Sequence, residues 1–277
     1  MDVEFLKQHG FVKIPGLLRP AELEKMQREI DAFVAAGQGG TAVFSSQATQ
    51  ADSAQADAVA AALIDSANTT AILYEADAPG VPNKLGHALH RDERFPAFCE
   101  AAQSPALRRV VGSLAACGYF PSPILMQSMV IEKAAKRGSP VLPHRDAEFL
   151  FSTTDLRGDG GRGDLPSLLA VWIALEDATL DNGCLWGLPG SHLPHGPWSD
   201  SIGARRYQRA SATSRCLSMQ PDGVASPYAD LDVPTVMTPL PVPAGTALIF
   251  TGNFLHASLG NSSDASRRAI TLHFASA

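Results

Sequence analysis

The feature that most constrains the fold of this 277-residue chain is a change of hydrophobic period at Pro123. Before it, apolar residues recur at helical spacing: Leu23, Met26, Ile30, Phe33 and Val34 follow Pro20, and Leu107, Val110, Val111 and Leu114 follow the capping pair Ser104-Pro105. Residues three and four apart share a helix face, so both segments predict amphipathic helices. After Pro123 the apolar residues come in short segments with strand-like alternation, at Ile124 to Ile131, Phe149 to Phe151, Leu168 to Leu175, Thr246 to Phe250 and Ala269 to Phe274. Each predicts a strand. Turns rich in Gly, Pro and Asp separate them, such as Gly158-Asp159-Gly160-Gly161 and Asp181-Asn182-Gly183, and no helix-length segment between them suits a parallel crossover. The expectation is an antiparallel sandwich or barrel over residues 121–277, with a mainly helical part (1–120) packed on it as one domain.

Composition narrows the function. With 45% hydrophobic and 18% charged residues the chain can build a sizeable core. Its net charge of −6, with no Lys/Arg-rich run, offers no electrostatic footprint for nucleic acid or an anionic membrane. A small-molecule substrate is the expected partner. Met1-Asp2-Val3-Glu4 has neither a basic nor an apolar leader region, and no run approaches the roughly 18 apolar residues of a membrane span, so a soluble, cytoplasmic protein is expected. Cys99, Cys117, Cys184 and Cys216 lie far apart without a CxxC pair and are expected to be reduced and structural. Residues 37–58, rich in Gly, Ala, Ser, Thr and Gln, predict a surface excursion and a candidate lid.

His144-Arg145-Asp146 follows Pro143 at the start of an extended segment, where alternation puts His144 and Asp146 on one face and Arg145 on the other. Taken alone, a short His/Asp spacing is unspecific, and a surface turn explains most of them. A third imidazole would complete a two-His, one-carboxylate set, which occupies one face of an octahedral Fe(II) and leaves positions open. His256, just after the apolar strand ending at Phe250, is the best candidate. Arg267 adds weight. On the last strand Arg267, Ala269, Thr271 and His273 share one face and Ile270, Leu272 and Phe274 the other, so a cation enters the interior among small neighbours. A buried arginine needs an anionic partner, and its planar fork matches a carboxylate such as the distal one of 2-oxoglutarate. Arg268 better suits the solvated role.

These residues sit within segments through which the chain resembles the phytanoyl-CoA dioxygenase family nearly end to end. They include Gly10-Phe11-Val12-Lys13-Ile14-Pro15-Gly16, Asn83-Lys84-Leu85-Gly86-His87, Gln127-Ser128-Met129, Pro143-His144-Arg145-Asp146, Val171-Trp172-Ile173-Ala174, Pro189-Gly190-Ser191-His192 and Ser266-Arg267 through His273. The resemblance implies a double-stranded β-helix, or jelly roll, with flanking helices. It implies Fe(II) held by His144, Asp146 and His256, with 2-oxoglutarate anchored by Arg267. It further implies Lys84 as a second cation for the dianion, Ser258 as a hydroxyl donor, Trp172 as an apolar wall and Met129 as a lining residue. The implied reaction consumes O2 and 2-oxoglutarate and yields succinate and CO2, coupled to hydroxylation or desaturation of a small organic substrate. Asp146 counts against halogenation, since halogenases of related fold lack this carboxylate.

Two positions depart from the family pattern. Arg145 stands where relatives often carry Gln, and the loop 155–166 is longer and more charged. Leu188 to His192 reads as a turn closing the barrel rather than a Ser/His pair; the three-residue spacing of His87 and His90 would suit a metal, but the resemblance implies that they belong to the co-substrate wall, within reach of substrate. The alternatives are a cupin-like metal-dependent hydrolase or isomerase, which would need no Arg267, and a catalytically silent binding relative.

Overall fold

The structure is a computed structural model that describes residues 1–37, 42–44, 70–75, 78, 80–150, 166, 168–196, 207–209, 217–219, 228 and 230–276. Its helices are α1 (Val3–His9), α2 (Pro20–Ala35), α3 (Pro96–Ala102), α4 (Pro105–Ala116), α5 (Ala147–Leu150) and α6 (Val233–Val236). The first seven strands are β1 (Phe11–Ile14), β2 (Ala42–Phe44), β3 (Ala71–Glu75), β4 (Pro82–His87), β5 (Pro123–Lys133), β6 (Val141–His144) and β7 (Leu168–Ala174). The rest are β8 (Leu185–Gly187), β9 (Tyr207–Arg209), β10 (Leu217–Met219), β11 (Thr238–Leu240), β12 (Ala247–Thr251), β13 (His256–Ser258) and β14 (Arg267–Ser276). Among the described residues no helix is long and apolar enough to cross a membrane.

The helices begin and end where local chemistry dictates. Asp2 accepts from the Phe5 amide to cap α1, and Gly10 closes it at φ 84°, a left-handed conformation that glycine adopts without strain. A Cβ at Gly10 would lie 2.5 Å from His192 Nδ1, so the position is also closed to side chains. Ser104 caps α4 by accepting from Leu107 N, and Pro105 occupies its first turn.

Eight strands form a major sheet in the order β1-β12-β7-β14-β5-β4-β3-β2, antiparallel except for the β2–β3 pair. A minor sheet, β11-β8-β13-β6, is antiparallel throughout. This is the antiparallel sandwich that the period predicts, in the jelly-roll form that the family resemblance implies. Alternation along the major-sheet strands divides the core in two. The outward residues of β14, Ile270, Leu272 and Phe274, pack with Val130 and Val171 against Met26 and Ile30 of α2 and Leu107 and Leu114 of α4. The inward residues, such as Ala269, Trp172, Leu248 and Phe250, pack toward Leu185, Trp186 and Ala257 of the minor sheet. Burial of these two faces supplies most of the favourable free energy, at about 25 cal/mol per Å² of apolar surface.

Three expectations change. The N-terminal part carries the long helices but also supplies β1 to β4, half of the major sheet. Phe149 to Phe151 is not a strand: Ala147–Leu150 is a helical turn, closed by the Glu148 amide donating to the Arg145 carbonyl, and Phe151 lies outside the described residues. Three apolar residues carry no period that could tell the two apart. Within 37–58, residues 42–44 are a strand paired with β3, and 38–41 and 45–58 lie outside the described residues, as do residues 155–165 of the charged loop.

Candidate metal centre

His144 ends β6 and His256 begins β13, and these strands pair with the two histidines directly opposite. Their ring centroids lie 4.3 Å apart. Asp146 follows in the turn after β6, which is tied to the β12–β13 loop by the Ala147 amide donating to the Gly252 carbonyl. Asp146 Oδ1 lies 3.5 Å from His144 Nε2 and 3.7 Å from His256 Nε2. One nitrogen or oxygen from each of the three residues falls within 4.8 Å of the others, a grouping that can hold a metal ion.

The protonation pattern follows from the backbone. His144 Nδ1 is 2.8 Å from the Leu142 carbonyl and His256 Nδ1 is 3.0 Å from that of Phe254. A carbonyl only accepts, so each Nδ1 carries the proton and each Nε2 turns a lone pair toward the shared point. Burial, helped by the neighbouring His144, pushes His256 down to about 4, which keeps it neutral and able to ligate. Burial alone would raise the Asp146 carboxyl, but His256, His273 and His144 outweigh it and hold it well below the usual carboxylate range. The donor set is a carboxylate and two imidazoles, the chemistry that suits Fe(II) with open positions.

Arg267 opens β14 on the same inner face and is 1% exposed. Its Nη2 is 3.4 Å from Ser258 Oγ, while Nε and Nη1 are buried and have no hydrogen-bond partner among the described residues. The guanidinium carbon lies 5.6 Å from the Trp172 ring centre. Burial pushes Arg267 down to about 10, so it is still a cation at neutral pH. A buried cation with orphaned N–H groups is costly, and those groups fit a carboxylate. Four residues along the same face, Thr271 sits between Met129 of β5 and Trp172 of β7, and among the described residues both Thr271 Oγ1 and Trp172 Nε1 are likewise buried without a partner. These orphaned polar groups lie along the inner face of β14 and β7, and fit a polar ligand rather than a packed core.

Lys84 lies across β5 from this row, and burial pushes it down to about 8 against the opposing pull of Asp146 and Glu75. The Ser258 hydroxyl donates to the Gly183 carbonyl at 2.8 Å and accepts from Arg267 Nη2 at 3.4 Å.

Several neighbours were not legible as site residues. His273 Nε2 is 3.0 Å from Asp146 Oδ2, and Gln127 Nε2 is 3.0 Å from His273 Nδ1. The inner-face parity of His273 signalled its direction but not its partner. Lys133 is registered opposite Arg267 and is 1% exposed; its Nζ donates to the Ser139 carbonyl, and Ser139 Oγ donates to Glu75 at 2.6 Å. Arg145 turns away from the ligands, as alternation predicts, into full burial. Its Nε donates to Tyr228 Oη at 2.8 Å, and its Nη1 donates to the carbonyls of Ser191, at 2.8 Å, and Asn253. Tyr228 in turn donates to Glu148 at 3.0 Å. Residues 188–192 form the expected turn, in which Ser191 Oγ accepts from the Leu255 amide. His90 is tied to Ser128 Oγ at 2.8 Å, and His87 is buried at the end of β4.

Comparison with known proteins agrees with this architecture. The family profile described as Phytanoyl-CoA dioxygenase (PhyH) matches residues 6–269. The chain is 30% identical over 284 residues to phytanoyl-CoA dioxygenase domain-containing protein 1 of Danio rerio, covering 98% of this chain and 88% of that protein. It is 31% identical over 280 residues to the Bos taurus protein of the same name, covering 96% and 86%. Among solved structures it is similar to apo EctD from S. alaskensis, with TM-score 0.61 and 18% identity over 99% of this chain and 75% of that one. EvdO2 from Micromonospora carbonacea var. aurantiaca, solved with 2-oxoglutarate, matches at TM-score 0.55 and 20% identity over 100% of this chain and 90% of that one. With a profile match over nearly its whole length and relatives aligned from end to end, the chain belongs to the phytanoyl-CoA dioxygenase family.

Proposed function

We propose that this protein is a non-haem Fe(II)- and 2-oxoglutarate-dependent dioxygenase that oxidatively decarboxylates 2-oxoglutarate to succinate and CO2 while hydroxylating a small organic substrate. The observation that carries the reading is Arg267: a buried guanidinium, short of partners among the described residues, on the inner face of the major sheet, which faces the minor sheet that bears the His/Asp/His cluster. A metal-dependent hydrolase or isomerase using the same three ligands would need no such cation. The names of structural neighbours, which include an epimerase solved with Fe3+ and alpha ketoglutarate, support the cofactor pair.

In this reading His144 Nε2, Asp146 Oδ1 and His256 Nε2 would hold the metal, with the backbone carbonyls of Leu142 and Phe254 setting the imidazole tautomers. Fe(II), when bound, supplies the redox chemistry with O2 and the co-substrate. The chain binds and orients. Arg267 receives the distal carboxylate in its orphaned fork, Ser258 braces that fork, and Lys84 adds positive charge to a site that takes a dianion. Trp172 and Met129, both buried, wall the space and exclude water.

Asp146→Ala tests the assignment. The expected result is loss of 2-oxoglutarate turnover, read as succinate, and loss of the weak visible charge-transfer band on anaerobic addition of Fe(II) and 2-oxoglutarate. Wild-type succinate production by the variant would overturn it.

A further inference from the structure

The two oxygens of Asp146 have different surroundings. Oδ1 faces His144 Nε2 and His256 Nε2, at 3.5 and 3.7 Å, whereas Oδ2 lies 3.0 Å from His273 Nε2. An ionised carboxylate oxygen only accepts, so His273 Nε2 carries a hydrogen. His273 Nδ1 is then an acceptor, and the Gln127 side-chain amide, 3.0 Å away, donates to it. Gln127 and His273 are registered opposite each other on β5 and β14, so the donor chain Gln127, His273, Asp146 is built across adjacent strands of the major sheet. His273 is 4% exposed, and it reaches Asp146 from the sheet face opposite the strands that carry the two histidines.

We infer that His273, oriented by Gln127, is a positioning residue that occupies Asp146 Oδ2 and thereby makes Asp146 a one-oxygen ligand. The inference rests on the metal-binding reading above. A carboxylate free to rotate can close on a metal with both oxygens and take up one of the positions a co-substrate needs. With Oδ2 engaged by the imidazole, only Oδ1 is presented, and the carboxylate plane is set before any metal arrives. The imidazole also cannot rotate away, because Gln127 holds its other nitrogen. The device is therefore part of the major sheet rather than of the loop that bears Asp146.

The test uses the full chain, with Fe(II) and Co(II) as probes. In His273→Phe, which keeps the ring but removes the donor, metal affinity should fall about tenfold to a hundredfold, the usual effect of losing a hydrogen-bond partner of a ligand. The visible spectrum of the Co(II) form should change, since its intensity follows coordination number, while the melting temperature of the metal-free protein stays close to that of wild type. His273→Gln, which can return an amide N–H to Asp146, should recover part of the affinity, and Gln127→Leu should lose a smaller part. Unchanged metal affinity and Co(II) spectrum in His273→Phe and Gln127→Leu would overturn the inference. Should His273→Phe fail to fold, the spectrum and affinity of Gln127→Leu decide. A wild-type protein that binds neither metal would instead overturn the function proposed above, so the two failures are distinguishable.

Discussion

Arg145, placed in sequence between two candidate ligands, donates to the backbone carbonyl of Asn253, in the loop that leads to the third. The same guanidinium reaches Ser191 and Tyr228, so one buried side chain joins the segments around His144, Asp146 and His256 from behind the site. Its charge is set against Glu148 at 4.0 Å, with the Tyr228 hydroxyl bridging the pair.

Arg145→Met should therefore be costly. Removing one member of a buried ion pair destabilises by about 3–5 kcal/mol, because the other charge stays behind. The expected outcome is a melting temperature several degrees lower and weaker Fe(II) binding. Adding Glu148→Gln should return part of the lost stability, so the double variant is less than additive. Additive losses would show that the pair does not act as a unit.

In the proposed reading, Arg267 separates co-substrate binding from metal binding. Arg267→Ala should weaken 2-oxoglutarate by about thirtyfold or more, from about 2–5 kcal/mol for a desolvated charge-assisted contact, and leave Fe(II) affinity nearly unchanged. Arg267→Lys should recover little, because an ammonium cannot form the two-point contact. Anaerobic titration of the charge-transfer band measures both.

His87 predicts an acid limb in stability. Burial first, then the charges of Lys84 and His273, push it down to about 3 in the folded protein, against an ordinary value of 6.5. Between these values the unfolded chain takes up a proton that the folded one refuses, so the contribution is complete above pH 6.5 and is lost as pH falls toward 3. The loss is on the order of 3 kcal/mol by pH 4. Melting curves of the metal-free protein across this range should slope less steeply in His87→Gln.

Gly86 tests the pocket wall. A Cβ there would come 2.9 Å from Met129 Cβ, and both residues sit on paired strands that cannot easily part. Gly86→Ala should cost about 1–3 kcal/mol of stability by overpacking. It should also displace Met129 toward the ligand space, read as a raised Kd for 2-oxoglutarate.

Much of this was legible in the sequence, for physical reasons. A period of 2 displays which side chains share a face, so His144 with Asp146, and Arg267 with Thr271 and His273, could be read from the chain. The helices α2 and α4 announced themselves through caps and spacing. What alternation does not carry is a partner: His273 is 127 residues from Asp146, and only the packing of the minor sheet, which carries β6, on the major sheet, which carries β14, brings them together. β3 and β4 were hidden for a related reason. Pro82, Asn83, Lys84 and Gly86 have little strand preference of their own, and pairing with β5 imposes the conformation. Arg145 was readable as pointing away from the ligands, but its destination depends on Ser191, Tyr228 and Asn253, which no local pattern connects.

Arg267 and His273 stand on one strand, with Ala269 and Thr271 between them on the same face. At about 3.3 Å of rise per residue, β14 acts as a ruler between the guanidinium and the imidazole that reaches Asp146. The spacing of their two backbone positions is thus fixed by the strand. An inserted or deleted residue between them would turn Arg267 and His273 to opposite faces and dismantle the arrangement in one step.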